Sequence, residues 1–262
     1  DLPDQALAQY AKFRQLLRDE LDAEPEIETV NLIEQIRRGE FSRPHAKAPH
    51  SAPMGQHQIP PPQSPRHDWH EMPIIGPFFG RADEMAQLET WLVTERCCVV
   101  ALLAIGGMGK TSLAAQIVPT IAAHFDLVIW RSLLNAPPFA ELLSTILPVL
   151  SNQQIGSMPQ RPEQQLHLFF NTLQNQRVLL VLDNLESIMQ PDQAGHYRAG
   201  YEVYEQLLYG MAMQQHQGQL ILTSREQPAT LKRLEHDTSR VRSLHLHGLY
   251  EEAANQLLVS RG

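Results

Sequence analysis

Four short apolar runs punctuate the chain: Val99-Val100-Ala101-Leu102-Leu103-Ala104-Ile105, Leu127-Val128-Ile129-Trp130, Val178-Leu179-Leu180-Val181-Leu182 and Leu220-Ile221-Leu222. Each ends in a glycine, a charge or a polar group, which predicts strands buried on both faces. Ser243-Leu244-His245-Leu246-His247 alternates apolar and polar residues and predicts a fifth. Between the runs the period changes. Met85, Leu88, Trp91 and Leu92 fall on one helical face, and so do Leu166, Phe169, Phe170 and Leu173. Phe139 to Leu150, Tyr201 to Met213 and a stretch from Tyr250 to Leu258 also recur at helical spacing. Strands that alternate with helices predict an α/β fold, a parallel sheet with helices on both faces.

The first part of the chain is patterned differently. Ala8, Phe13, Leu16, Leu17 and Leu21 lie at helical spacing. After Glu24-Pro25, Val30, Leu32, Ile33 and Ile36 do the same. Two amphipathic helices joined by a turn predict a helical hairpin over 1–41. From Ser42 the composition shifts to Pro, Ser, Gln and His with few apolar residues. Such a segment has too little to bury to offset its ordering entropy, so 42–72 is expected to be a disordered linker. His45, His50, His57, His67 and His70 lie in this stretch at irregular spacing with no cysteine among them, so they are expected to be solvated rather than metal-bound. A second domain, carrying the α/β pattern, is expected over 73–262. The chain opens within a helical pattern and without Met, and it is expected to be a piece of a longer protein.

The net charge of −8 argues against a nucleic-acid surface spread over the whole chain. The two cysteines, Cys97 and Cys98, are adjacent and form no disulfide or metal pattern. No apolar run has the length of a membrane span and no signal peptide opens the chain. The expected location is therefore the cytoplasm, with no membrane partner.

The chemistry lies at the ends of the strands. After the first run come Gly106-Gly107-Met108-Gly109-Lys110-Thr111-Ser112 and then a helical pattern. This is a strand–loop–helix P-loop, in which glycines let backbone N–H groups converge on phosphate oxygens at a helix N-terminus. Lys110 is expected to reach the β- and γ-phosphates and Thr111 to ligate Mg²⁺. The usual opening glycine is Ala104 here. Asp183 ends the next decisive run, where a carboxylate can hold the same Mg²⁺ opposite Thr111. Asn184 follows it, and Glu186 lies two residues further on. Arg225 follows Thr223-Ser224 at the end of another strand, where a guanidinium can report a γ-phosphate.

In this order the stretches resemble the signal-transduction ATPases with numerous domains (STAND), in their NB-ARC branch. The resemblance spans Ile75 to Leu258 and rests on Phe79-Gly80-Arg81 with Glu84, the P-loop, Phe125 to Trp130, Val181-Leu182-Asp183-Asn184 and Thr223-Ser224-Arg225. It implies that Phe79, Gly80 and Arg81 line an adenine site and that Arg225 is the phosphate sensor, acting with Lys110 and Asp183. It places the P-loop strand mid-sheet and the Arg225 strand between the P-loop and Asp183 strands. It also implies a switch between ADP and ATP states, slow hydrolysis, and self-association of the intact protein when ATP is bound. Leu16 to Pro25 and Leu32 to Glu40 resemble the closing helices of the bacterial transcriptional activator domain. That implies a transcriptional output, with DNA contacted only by regions outside this chain. A scaffold that holds ADP as a structural ligand is the alternative. A metabolic kinase suits the Thr223-Ser224-Arg225 strand end poorly.

Overall fold

The computed structural model describes residues 66–76, 78–151, 159, 161–250, 256 and 259. The expected helical hairpin, the linker as far as 65 and most of the closing helical pattern lie outside the described residues.

Six parallel strands form one sheet: β1 (Arg66–Asp68), β2 (Val99–Leu103), β3 (Leu127–Ser132), β4 (Val178–Asp183), β5 (Gln219–Ser224) and β6 (Val241–His245). Their spatial order is β1-β3-β4-β5-β2-β6. Helices α1 (Ala82–Glu89), α2 (Lys110–Ile121), α3 (Phe139–Leu150), α4 (Pro162–Leu173), α5 (Glu202–Met213) and α6 (Ala229–Asp237) join them. Successive strand residues point to opposite faces, so the apolar runs supply two cores at once. Ala101, Leu103, Ile129, Leu180 and Leu222 meet α3, α4, α5 and α6 on one face, while Val100, Leu102, Trp130, Val181 and Ile221 meet α1 and α2 on the other. Both faces are covered, as the unbroken apolar runs require.

β5 lies between β2 and β4, pairing Ala101 with Leu222 and Val181 with Ile221. The P-loop strand, expected mid-sheet, instead stands one place in from the edge, because β6 alone lies outside it. β6 also begins earlier than its alternating pattern suggests, at Val241, so Leu246 and His247 lie beyond its end.

The segment 66–72 does not behave as a linker. Arg66–Asp68 pairs in parallel with Leu127, Val128 and Ile129 at the sheet edge. Contacts distant in sequence hold it there. Arg131, only 3% exposed, donates from Nη2 to Asp68 Oδ2 at 2.5 Å and to the Thr145 carbonyl at 3.1 Å. Burial alone would raise the Asp68 carboxyl. Its bonds from Arg131 and His70 outweigh that and hold it below the ordinary value. Gly210 is required by packing, since the Phe170 ring of α4 lies 2.3 Å from where a Cβ would stand. Among the described residues no helix is long and apolar enough to cross a membrane.

Candidate nucleotide site

The C-terminal ends of β2, β4 and β5 converge, and each delivers a different group. From Leu103 the chain turns through 104–109 into α2. Gly107 (φ 81°) and Gly109 (φ 84°) take left-handed backbone that a side chain would strain. Gly109 caps α2, so the first-turn N–H groups of Thr111 and Ser112 face the loop with the positive end of the helix dipole. Lys110 is buried. Its Nζ donates to the Ala104 carbonyl at 2.8 Å and the Ile105 carbonyl at 3.4 Å, so the ammonium closes the loop on itself. Burial pushes its pKa down, opposed by Glu186 and Asp183 and assisted by Arg225. A phosphate in the loop would reverse that penalty.

Asp183 is 4% exposed at the end of β4. Its Oδ1 accepts from Thr111 Oγ1 at 2.8 Å and from Thr223 Oγ1 at 2.5 Å. Two oxygen ligands of the kind Mg²⁺ prefers are thus already adjacent, and Thr111 and Asp183 fit a magnesium site. Thr223 is the residue that sequence reasoning missed. It is fully buried, and its hydroxyl both holds Asp183 and accepts the Asn184 backbone N–H at 3.0 Å. A hydroxyl ending an otherwise apolar strand was the available signal. Asn184 adopts left-handed backbone (φ 64°) and turns its amide back onto Asp183 Oδ2 at 3.1 Å. That amide orients the carboxylate rather than facing outward.

Arg225 and Glu186 meet across the site, Nε to Oε1 at 3.0 Å. The Arg225 side chain is 66% exposed and lies over the loop, its Cζ 3.5 Å from the position of a Cβ on Gly106. The other carboxylate oxygen, Glu186 Oε2, is buried and without a hydrogen bond among the described residues.

Phe79 is half-buried, Gly80 exposed and Arg81 buried in left-handed backbone (φ 61°) ahead of α1. The Arg81 guanidinium reaches two distant carbonyls, Met108 at 3.0 Å and His247 at 2.7 Å, and pairs with Glu84 at 2.9 Å. It therefore ties the entry turn to both the P-loop and the segment after β6. A cavity of about 430 Å³ opens beside it, lined by Ala104, Met108, Arg225, His245 and His247 among others. The structure thus brings Lys110, Thr111, Asp183 and Arg225 to one sheet edge. Arg81 joins them through the loop.

Residues 81–258 match the NB-ARC domain. The chain belongs to the NB-ARC family. Residues 3–37 match the bacterial transcriptional activator domain. An uncharacterised WD repeat-containing protein of Nostoc is 39% identical over 207 residues, covering 76% of this chain and 16% of that protein. The regulatory protein AfsR of Streptomyces griseus is 31% identical over 196 residues, covering 71% of this chain and 19% of AfsR. The chain thus spans less than a fifth of the length of either relative. Among solved structures, a STAND protein with a tetratricopeptide repeat sensor from Pyrococcus horikoshii superimposes with a TM-score of 0.51 at 19% identity. The match covers 72% of this chain and 26% of that one. Cdc6p of Pyrobaculum aerophilum gives 0.53 at 14% identity, covering 72% of this chain and 50% of that one. Both share the fold. As an NB-ARC domain this is a nucleotide-binding module of P-loop NTPase architecture.

Proposed function

We propose that this NB-ARC domain is the ADP/ATP-responsive switch of a multidomain regulator with transcriptional output, and that it hydrolyses ATP slowly. The observation that carries the reading is the convergence of Lys110, the Thr111–Asp183 pair and the Arg225–Glu186 pair at one sheet edge. The match of residues 3–37 to a transcriptional activator domain and the likeness to the regulatory protein AfsR support the output.

The P-loop amides and the α2 N-terminus would bind the β-phosphate in either nucleotide state. Lys110 would exchange its loop carbonyls for phosphate oxygens, relieving the burial penalty on its charge. Mg²⁺, held by Thr111 and Asp183, would neutralise charge between the β- and γ-phosphates. Only ATP carries the group that competes for Arg225. A γ-phosphate offers the guanidinium a more highly charged partner than Glu186, so ATP favours the state in which that pair is broken. A switch needs such a state-dependent contact. Glu186, once released, is the free carboxylate nearest the phosphate end, since the Asn184 amide is engaged on Asp183. With Asn184 rather than an acid directly after Asp183, hydrolysis is expected to be slow. Phe79, Gly80 and Arg81 border the place for the adenine, with Arg81 passing the loop's position to the segment after β6.

The test is nucleotide content. The purified protein is denatured and its supernatant chromatographed, with Lys110→Ala as control. Near-stoichiometric ADP in the wild type alone supports a resting switch. A folded wild type that carries no nucleotide and gives no heat with Mg·ATP or Mg·ADP overturns the reading. Binding of ADP with no preference change in Arg225→Ala would favour the alternative of ADP as a structural ligand in a scaffold.

A further inference from the structure

The opposite edge of the sheet carries a second concentration of charge that the nucleotide site does not use. Arg96 and Cys98 precede β2, Arg177 precedes β4, His216 precedes β5 and Gln219 opens it, and Arg240 precedes β6. The sheet topology brings these strand starts together around a cavity of about 270 Å³. Among the described residues three guanidinium groups line it and no carboxylate does.

These arginines are poorly partnered. Arg96 makes no hydrogen bond or ion pair among the described residues and sits in left-handed backbone (φ 54°). Arg177 stacks on Phe125, Cζ 5.0 Å from the ring centroid, and its Nη2 is buried without a hydrogen bond among the described residues. Arg240 reaches the Ala212 and Gln214 carbonyls only at 3.5 and 3.4 Å, and places Nη2 against the Cys98 sulfur. Asp126 is the acid that acts on Arg177, but it lies off the lining and its Oδ2 accepts the Arg177 backbone N–H at 2.8 Å. His216 adds no charge: its Nδ1 accepts the Gly218 N–H at 3.1 Å and its Nε2 faces the Met211 carbonyl at 3.0 Å. Burial, and then the Arg96 charge, work against the Arg177 cation. A donor buried without a partner, as Arg177 Nη2 is among the described residues, is costly, and the like charges gathered around one cavity repel; an anion would compensate both.

We propose that this cavity binds a small phosphate-bearing anion. Three forked donors converging on a space of this size suit a tetrahedral, multiply charged group better than a single carboxylate. The site lies at the far end of the strands that carry the P-loop, Asp183 and Arg225, about 20 Å away by strand length. It is independent of nucleotide binding.

The test is calorimetric titration of inorganic phosphate and of ribose 5-phosphate into the 262-residue chain, each repeated with Mg·ADP saturating the P-loop. Binding that persists with Mg·ADP and in Lys110→Ala is expected. It should weaken about tenfold or more in Arg96→Ala and in Arg240→Gln. Both variants should retain wild-type circular dichroism and ADP affinity; Arg96 is exposed, so its replacement leaves packing intact. Tighter binding of ribose 5-phosphate assigns the cavity to a phosphorylated metabolite, and equal or weaker binding to free phosphate. Three results overturn the proposal: no binding beside Mg·ADP, binding lost only in Lys110→Ala, or binding unchanged in both arginine variants. An acidic peptide that binds where neither phosphate does also overturns it, since the cavity would then serve a carboxylate-bearing segment.

Discussion

Glu186 shows how far a single residue can be read. Its position two places after Asn184 puts a carboxylate just beyond Asp183 in sequence, but only folding shows that one oxygen is engaged by Arg225 and the other buried without a partner among the described residues. If the pair competes with the γ-phosphate, removing its negative charge removes the competitor. Glu186→Gln is expected to raise affinity for a non-hydrolysable ATP analogue by about two- to fivefold, the range set by exposed ion pairs, and to leave ADP affinity unchanged. Calorimetry with both nucleotides decides it; an equal change for both would mean that Arg225 does not distinguish them. His216 makes a second prediction at this scale. Burial, helped by Arg240, holds its pKa below the ordinary histidine value despite backbone hydrogen bonds acting the other way. The unfolded chain then binds the proton more readily than the fold. The stability His216 contributes is complete above about pH 6.5 and is lost as the pH falls through that value towards the lowered one. Denaturant midpoints at about pH 7.5 and pH 5.5 should differ less in His216→Gln than in the wild type. An equal difference would place the acid sensitivity elsewhere.

The elements that were legible are those whose periodicity is set by burial. Val99–Leu103, Val178–Asp183 and Gln219–Ser224 are covered by helices on both faces, so each is an unbroken apolar run that the sequence displays. Phe139–Leu150 has the same bounds in sequence and structure because its apolar stripe ends where its core contacts end. β1 and α6 were not legible. Arg66-His67-Asp68 has no apolar pattern and is held at the sheet edge by contacts distant in sequence, Arg131 to Asp68 and Arg66 to the Val149 carbonyl and Gln176. Ala229–Asp237 buries only Leu231 and Leu234 among its apolar side chains, too few to define a period. Gly210 is a subtler case. In sequence it looks like a defect inside a helix, where alanine would ordinarily help by up to about 1 kcal/mol. The Phe170 ring occupies the space that the methyl group needs. Gly210→Ala is therefore expected to destabilise the domain, by about 1–3 kcal/mol as overpacking usually costs. Urea unfolding reads the sign directly, and a stabilised variant would show that α4 and α5 can separate cheaply.

At the scale of the molecule, the sheet divides its charges between two edges. The C-terminal edge gathers Lys110, Thr111, Asp183 and Arg225, and the N-terminal edge gathers Arg96, Arg177 and Arg240. The placement of β5 between β2 and β4 makes this possible, since it brings the P-loop, Asp183 and Arg225 together from segments far apart in sequence. Those three groups were named from sequence because each ends a readable strand. The arginine cavity was not, because its members precede strands in segments without a pattern. The two edges predict different responses to ligands. A nucleotide that binds the folded state stabilises it by mass action, by about 2.7 kcal/mol at a hundredfold excess over Kd. For a domain of this size that is a rise in Tm of about 5–10 °C. Mg·ADP should produce this rise in the wild type and in Arg96→Ala, and little or none in Lys110→Ala. Scanning calorimetry of the three proteins with and without nucleotide separates the edges. A rise lost in Arg96→Ala would mean that the cavity and the P-loop are coupled through β2, and that the two edges form one site thermodynamically.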